Sequence, residues 1–360
     1  MLNRLKSIPH SKPTLGKEEE LEVVKTIRSA QIAQGERVAV FERMMAGYIG
    51  TKYAVAVSSG IAALHLSLIA LGVKEDDEVI LPSYTCDALL NAVLYCHACP
   101  KIVDVEYDTG NISPGEIKKN ITSKTKAIIV PHSMGFPAKI DQIVGLGIPV
   151  IEDCAVSIGS EYKNRKVGTY GAIAVCSFYT TKMLTTGEGG MIFTDNENTL
   201  SLTRELRDYT GHLEFRVRYN YKMTDIAAAM GIVQLGKLND FIKKRHILAD
   251  LYTTLLKKQS SLILPNYDAE TINPVFYRYI VKLPNYDIEL VRYKMKEKGI
   301  VCGKGVLQPL HKLLGLPEEK FPVSKRLAHD VISLPLYPSL NEEDIQYIVN
   351  EFIDILGGLR

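Results

Sequence analysis

Short apolar runs recurring between segments of helical period dominate the first two thirds of this 360-residue chain. They leave it few architectures. Residues 53–57, 78–81, 101–104, 126–130, 149–151 and 172–176 read as strands buried on both faces. Residues 61–71, 87–95 and 140–146 carry helical spacing between them. Strand and helix alternating at this interval predict βαβ units around a mostly parallel sheet, an α/β fold. Residues 191–194, arriving after a glycine-rich loop, are a candidate further strand.

Beyond Asn220 the pattern changes. Thr224 is a candidate N-cap for a long amphipathic helix that should run to about Lys257. Residues 275–283 alternate like a strand, 288–298 are helical, and 341–355 form a closing amphipathic helix. The expected division is a large α/β domain over residues 1–249 and a smaller C-terminal α+β domain over 250–360.

Charge and cysteines narrow the function. Forty-three basic residues against 41 acidic ones leave a net charge of +2, no electrostatic footprint for nucleic acid or an anionic membrane. The opening MLNRLKSIPHSKPT lacks the apolar core of a secretory signal, and no apolar stretch approaches the ~18 residues of a membrane span. A cytoplasmic location is expected. Cys96 and Cys99 lack the second matching pair of a structural zinc site, so both read as small buried hydrophobes and no metal is expected.

Three segments carry candidate chemistry. In residues 177–190 a single lysine, Lys182, sits among hydroxyls and apolar residues before a run of glycines. Partly apolar surroundings lower a lysine's pKa, and the neutral amine can attack an aldehyde to form an imine. Asp153 ends an apolar strand, where α/β sheets place ligands; it can pair with a protonated pyridine nitrogen or serve as an N-cap. Ser58-Ser59-Gly60-Ile61-Ala62 opens a helix after a strand, and the free N–H groups of such a turn suit a phosphate. Lysine, aspartate and phosphate turn together form the inventory for holding pyridoxal 5'-phosphate.

With these motifs in view, the sequence resembles the DegT/DnrJ/EryC1/StrS family of sugar-nucleotide aminotransferases, of the aspartate-aminotransferase fold type. The resemblance rests on SSGIAALHLSL (58–68), VIEDCAVSIGS (150–160), FYTTKMLTTGEGG (178–190), YNYKMTDIAAAMGIVQL (219–235) and SLPLYPSL (333–340). It implies a Schiff base between the cofactor and Lys182, which then moves the proton between substrate and cofactor carbons. It implies that Asp153 pairs with the pyridinium nitrogen. Gly60, Ile61 and Ala62, with the Ser177 hydroxyl, would hold the phosphate, and Asn220 would reach the phosphate of a neighbouring subunit's cofactor. A homodimer with shared active sites follows from that last match.

Three departures stand out against the family pattern. Ile61 replaces a frequent threonine of the phosphate turn, Cys86 falls where an aromatic stacks on the cofactor ring, and Val156 replaces a glutamine or histidine near the phenolic oxygen. His311 matches a block near the active-site mouth but reads equally as a structural loop histidine. Relatives with histidine in place of the lysine are sugar dehydrases, and Lys182 argues against that branch. The implied reaction takes an amino group from an amino acid, L-glutamate, to a keto group of a nucleotide-linked deoxysugar. A keto-cyclitol acceptor, or a cofactor-binding regulatory protein without turnover, are the alternatives.

Overall fold

The computed structural model describes residues 7–359. Its strands in chain order are β1 (Tyr53–Val57), β2 (Glu78–Pro82), β3 (Cys99–Val103), β4 (Thr125–Pro131), β5 (Val150–Asp153), the short pair β6 (Glu161–Tyr162) and β7 (Arg165–Lys166), β8 (Ile173–Ser177), β9 (Gly190–Thr194), β10 (Ile272–Asn273), β11 (Tyr279–Lys282), β12 (Gly303–Lys304) and β13 (Val331–Leu334).

Seven of them form one sheet in the order β1-β9-β8-β5-β4-β2-β3. Neighbours pair in parallel except β9, which runs antiparallel to both β1 and β8. The candidate strand after the glycines is therefore real, and it reverses direction because only a short loop separates it from β8. Near-continuous Val, Ile and Ala make these strands, since both faces are covered. One layer packs the helices Gly60–Ala70 and Ala88–Tyr95 on Val55, Leu81, Ile129 and Val175. The opposite layer packs the helix Glu36–Ile49 and the first half of the helix Asp225–Leu256 on Ala54, Ala174 and Phe193.

The long helix starts where the Thr224 side chain accepts the Ala227 N–H, and it ends at Leu256, as its cap and period predict. Leu235 and Leu238 serve the large sheet, whereas Leu248, Ala249, Tyr252 and Leu256 enter a second core. That core is built on the antiparallel sheet β11-β13-β12 and the helices Ile288–Glu297 and Glu342–Gly357. Ile8 also belongs to it, bridged to Ile300.

Three local expectations are corrected. The third strand is Cys99–Val103, two residues earlier than expected. Asp104 caps the helix Pro322–Asp330, accepting from the Val323 and Ser324 N–H groups. The run 275–283 is a strand only from Tyr279: Phe276 has a left-handed φ of 48°, and the buried Arg245 guanidinium takes the carbonyls of Phe276 and Tyr277. Cys99 is exposed while Cys96 is buried, so only one of the pair is a core residue. No cluster of three potential metal ligands exists among the described residues, nor any helix long and apolar enough to cross a membrane.

Candidate active site

Where the parallel strands end, a cleft of about 340 Å3 opens between the large sheet and the second core. Thr85, Cys86 and Asp87 follow β2, Pro131 and Ser133 lie at the end of β4, and Asp153 closes β5. Lys182 stands in the loop between β8 and β9. The facing wall is Tyr277 and Arg278 ahead of β11, Lys304 to Gln308 from β12 onward, and His10. Of the residues expected from sequence, the cleft unites Cys86, Asp153 and Lys182; Val156 lines it too.

Asp153 is buried. Its Oδ1 accepts the Ala155 N–H at 2.9 Å, and no further hydrogen bond reaches the carboxylate among the described residues. A run of turns follows it, so the side chain caps a turn and no helix begins there. Burial pushes its pKa up; the Ala155 N–H, the Lys182 charge and His132 oppose that push without cancelling it. Such a carboxyl gains from a cationic N–H partner.

Directly beneath it, Glu152 is fully buried and saturated. It accepts from the N–H groups of Gly168, Tyr170 and Gly171 and meets His132 Nε2 at 3.1 Å. Burial would raise its pKa, but His132 and the backbone donors outweigh that and hold it below the usual range. Adjacent strand residues thus have opposite environments: Glu152 is anchored in the scaffold, Asp153 is left open to the cleft.

Lys182 is half-buried, its backbone N–H bound to the Tyr179 carbonyl, its Nζ 5.8 Å from the centroid of the Tyr277 ring. Cys86 as a residue is exposed at the rim, yet its thiol is desolvated in the cleft and lies near Asp153; both raise its pKa.

The phosphate-turn residues gather beside the cleft. Ser177 of β8 pairs with Gly190, Gly190 pairs with Val57, and Gly60 lies against Ser177. A Cβ on Gly190 would fall 2.3 Å from the Ser59 carbonyl oxygen, so glycine is required there. Ser59 is the N-cap of the helix Gly60–Ala70 and its hydroxyl accepts the Ala62 N–H at 3.1 Å. That occupies one of the three expected backbone donors to the phosphate. The first-turn N–H groups of Gly60 and Ile61 remain.

Asn220 does not line this cleft. It is exposed between Tyr219 and Tyr221, whose rings stack on each other at 5.0 Å with His65 edge-on to both. His311 is buried rather than a loop residue, its Nδ1 2.6 Å from Ser83 Oγ and its ring stacked on Phe321.

These residues fit pyridoxal phosphate: an unsaturated buried carboxylate, a primary amine in the same cleft, and a glycine corner with free backbone donors. Comparison with known proteins agrees. The model of the DegT/DnrJ/EryC1/StrS aminotransferase family matches residues 13–353. This chain belongs to that family. The GDP-perosamine synthase of Escherichia coli O157:H7 is 37% identical, over 97% of this chain and 99% of that one. The crystal structure of the aminotransferase TlmJ from Streptoalloteichus hindustanus superposes with a TM-score of 0.93 at 29% identity, covering 98% of this chain and 99% of that one. The PLP-form of Spr1654 from Streptococcus pneumoniae gives 0.92 at 27%, covering 99% and 100%. As a member of the family the chain is a pyridoxal-phosphate-dependent aminotransferase.

The site residues outside the sequence expectation are His10, Tyr277 and Arg278. They come from the segment ahead of β11 and from the N-terminal segment, with no motif around them. The only sequence signal was an arginine among aromatics in a run otherwise read as a strand.

Proposed function

We propose that this enzyme moves an amino group from L-glutamate to the keto carbon of a nucleotide-linked deoxysugar. The observation that carries the reading is that Lys182 and Asp153 line one cleft, with the Lys182 charge felt at Asp153. Similarity to GDP-perosamine synthases supports the nucleotide-linked acceptor.

Bound pyridoxal phosphate supplies an electron sink for the pair left when a proton leaves the substrate carbon. Lys182 would hold the cofactor through its amine, and its Nζ would remove and return that proton. Asp153 accepts the ring N–H and keeps it protonated. Gly60, Ile61 and the Ser177 hydroxyl hold the phosphate at the helix N-terminus; Ala62, its N–H engaged by Ser59, contributes through the helix dipole. Cys86 gives the ring a small polarizable contact in place of an aromatic. In this reading residues 1–249 carry the cofactor and residues 250–360 form the lobe opposite it.

The working unit in this reading is a homodimer. The segment leading to Asn220 exposes Leu213 (105%) and Phe215 (97%), apolar surface that a second copy would cover while Asn220 reaches that copy's cofactor phosphate.

Borohydride reduction of the loaded enzyme should fix the cofactor to the peptide carrying Lys182. Lys182→Ala should lose turnover by a factor of about 10²–10⁴ or more; wild-type turnover by that variant overturns the roles. Purified enzyme with L-glutamate should aminate nucleotide ketosugars. Amination of keto-inositols alone would redirect the acceptor to a cyclitol, and no half-reaction with any donor would point to a binding role.

A further inference from the structure

Several cations in this second lobe are matched. Arg292 meets Glu289 at 2.6 Å, Arg326 meets Asp330 at 3.1 Å, and Lys304 at the cleft wall is paired with Glu289. Arg278 is the exception on the cleft wall. No carboxylate lies within salt-bridge distance of it among the described residues; its partners are the Tyr277 hydroxyl, accepting from Nη2 at 3.1 Å, and the His10 carbonyl, accepting from Nη1 at 3.5 Å. A guanidinium carries five N–H donors, so most of the fork is unspent. Its position is nonetheless set: the group lies over the Tyr277 ring, 4.4 Å from the centroid.

The surplus positive charge is visible in its neighbours. His10 is pushed down to about 3, first by burial and then by Arg278. Burial alone would raise Tyr277, yet Arg278, Lys182, the Thr181 hydroxyl and Arg245 together hold it below its ordinary value. Arg245, buried behind, has among the described residues only the carbonyls of Phe276, Tyr277 and Leu336 as partners. Nothing acidic on this wall neutralises the group.

We propose that Arg278 is the anion receptor of the cleft, a fork that binds an oxyanion of the substrate and selects for substrates that carry one. Lys182 Nζ and the Arg278 guanidinium flank one phenol ring at 5.8 and 4.4 Å from its centroid, so they stand at most about 10 Å apart. An oxyanion a few bonds from the carbon reacting at Lys182 reaches the fork, and a paired-oxygen anion suits its geometry. On the function proposed above, which this inference rests on, two groups have that chemistry: the side-chain carboxylate of an acidic amino donor and the phosphate of a nucleotide-linked acceptor.

The test titrates cofactor-loaded enzyme with glutarate and, separately, with inorganic pyrophosphate, following the cofactor absorbance band in wild type, Arg278→Met and Arg278→Lys. Arg278→Met should weaken at least one probe about tenfold or more, and Arg278→Lys should restore only part, since an ammonium cannot fork. Loss for glutarate alone assigns the donor carboxylate, loss for pyrophosphate alone the acceptor phosphate, and loss for both a shared receptor. Unchanged affinity for both probes, or no saturable response in wild type, overturns the proposal. If Arg278→Met loses the cofactor band, Arg278→Lys and Arg278→Gln are judged by the same criterion. Adding L-glutamate to wild type separates the two claims: failure to convert the band defeats the proposed donor while the probe titrations still judge Arg278.

Discussion

Gly60 and Ser177 meet at the corner where β1 gives way to its helix and β8 ends: a Cβ on Gly60 would stand 2.9 Å from the Ser177 Cβ and 3.3 Å from its Oγ. The nearest atom is the Ser177 Cβ, bonded directly to the strand backbone and unable to rotate away, so the corner cannot yield cheaply. Gly60→Ala should cost about 1–3 kcal/mol of packing strain. Because the strain falls on the proposed phosphate turn, cofactor affinity should drop about tenfold to a hundredfold. Cofactor dissociation followed by absorbance measures it; unchanged affinity would remove the turn from the phosphate site.

Asp153 sets up an opposition between stability and cofactor binding. Its folded pKa is raised by burial, so its neutral form is favoured, and the cofactor-free protein loses stability as pH rises above the ordinary carboxylate range. Asp153→Asn removes that penalty. The cofactor-free variant should melt higher than cofactor-free wild type at pH 7 and bind pyridoxal phosphate more weakly. Melting curves with and without cofactor give both numbers.

Glu152 should behave in the opposite sense. Its folded pKa is lowered, so its stabilisation is present above about 4.5, the ordinary value, and disappears as pH falls through the folded value. Glu152→Gln cannot satisfy His132 Nε2 and three backbone N–H groups together. A loss of about 3 kcal/mol at pH 7 is expected. Denaturant unfolding from pH 7 to 3 checks it: the gap between variant and wild type should narrow on the acid side.

The exposed arm offers a test of assembly. Replacing Leu213 and Phe215 by serine removes apolar surface that nothing among the described residues covers, so monomer folding should be affected by less than about 0.5 kcal/mol. Light scattering should show dimer giving way to monomer at low protein concentration. A variant that remains a dimer at every concentration places the interface elsewhere.

Much of the site could be read in advance because its chemistry sits in local motifs. Lys182, Asp153 and the Ser59-Gly60 turn each end or follow a strand whose apolar run is unmistakable, and parallel strand ends converge by topology. What the motifs could not convey was occupancy. Ala62 was a phosphate donor on sequence grounds, yet Ser59 claims its N–H. His311 read as a loop residue until Ser83 and Phe321 enclosed it.

The sequence by itself determined the parallel sheet, the long Thr224-capped helix and the cofactor class, and it singled out the lysine proposed to serve that cofactor, because period, capping and short-range motifs are written within a few residues of one another. Only the tertiary structure decided the other wall of the cleft. Tyr277, Arg278 and His10 come from segments some 270 residues apart, and Phe276 in a left-handed turn breaks the expected strand. Charge balance at Arg278 is a property of everything packed around it, and no local pattern records which carboxylates a fold leaves out of reach.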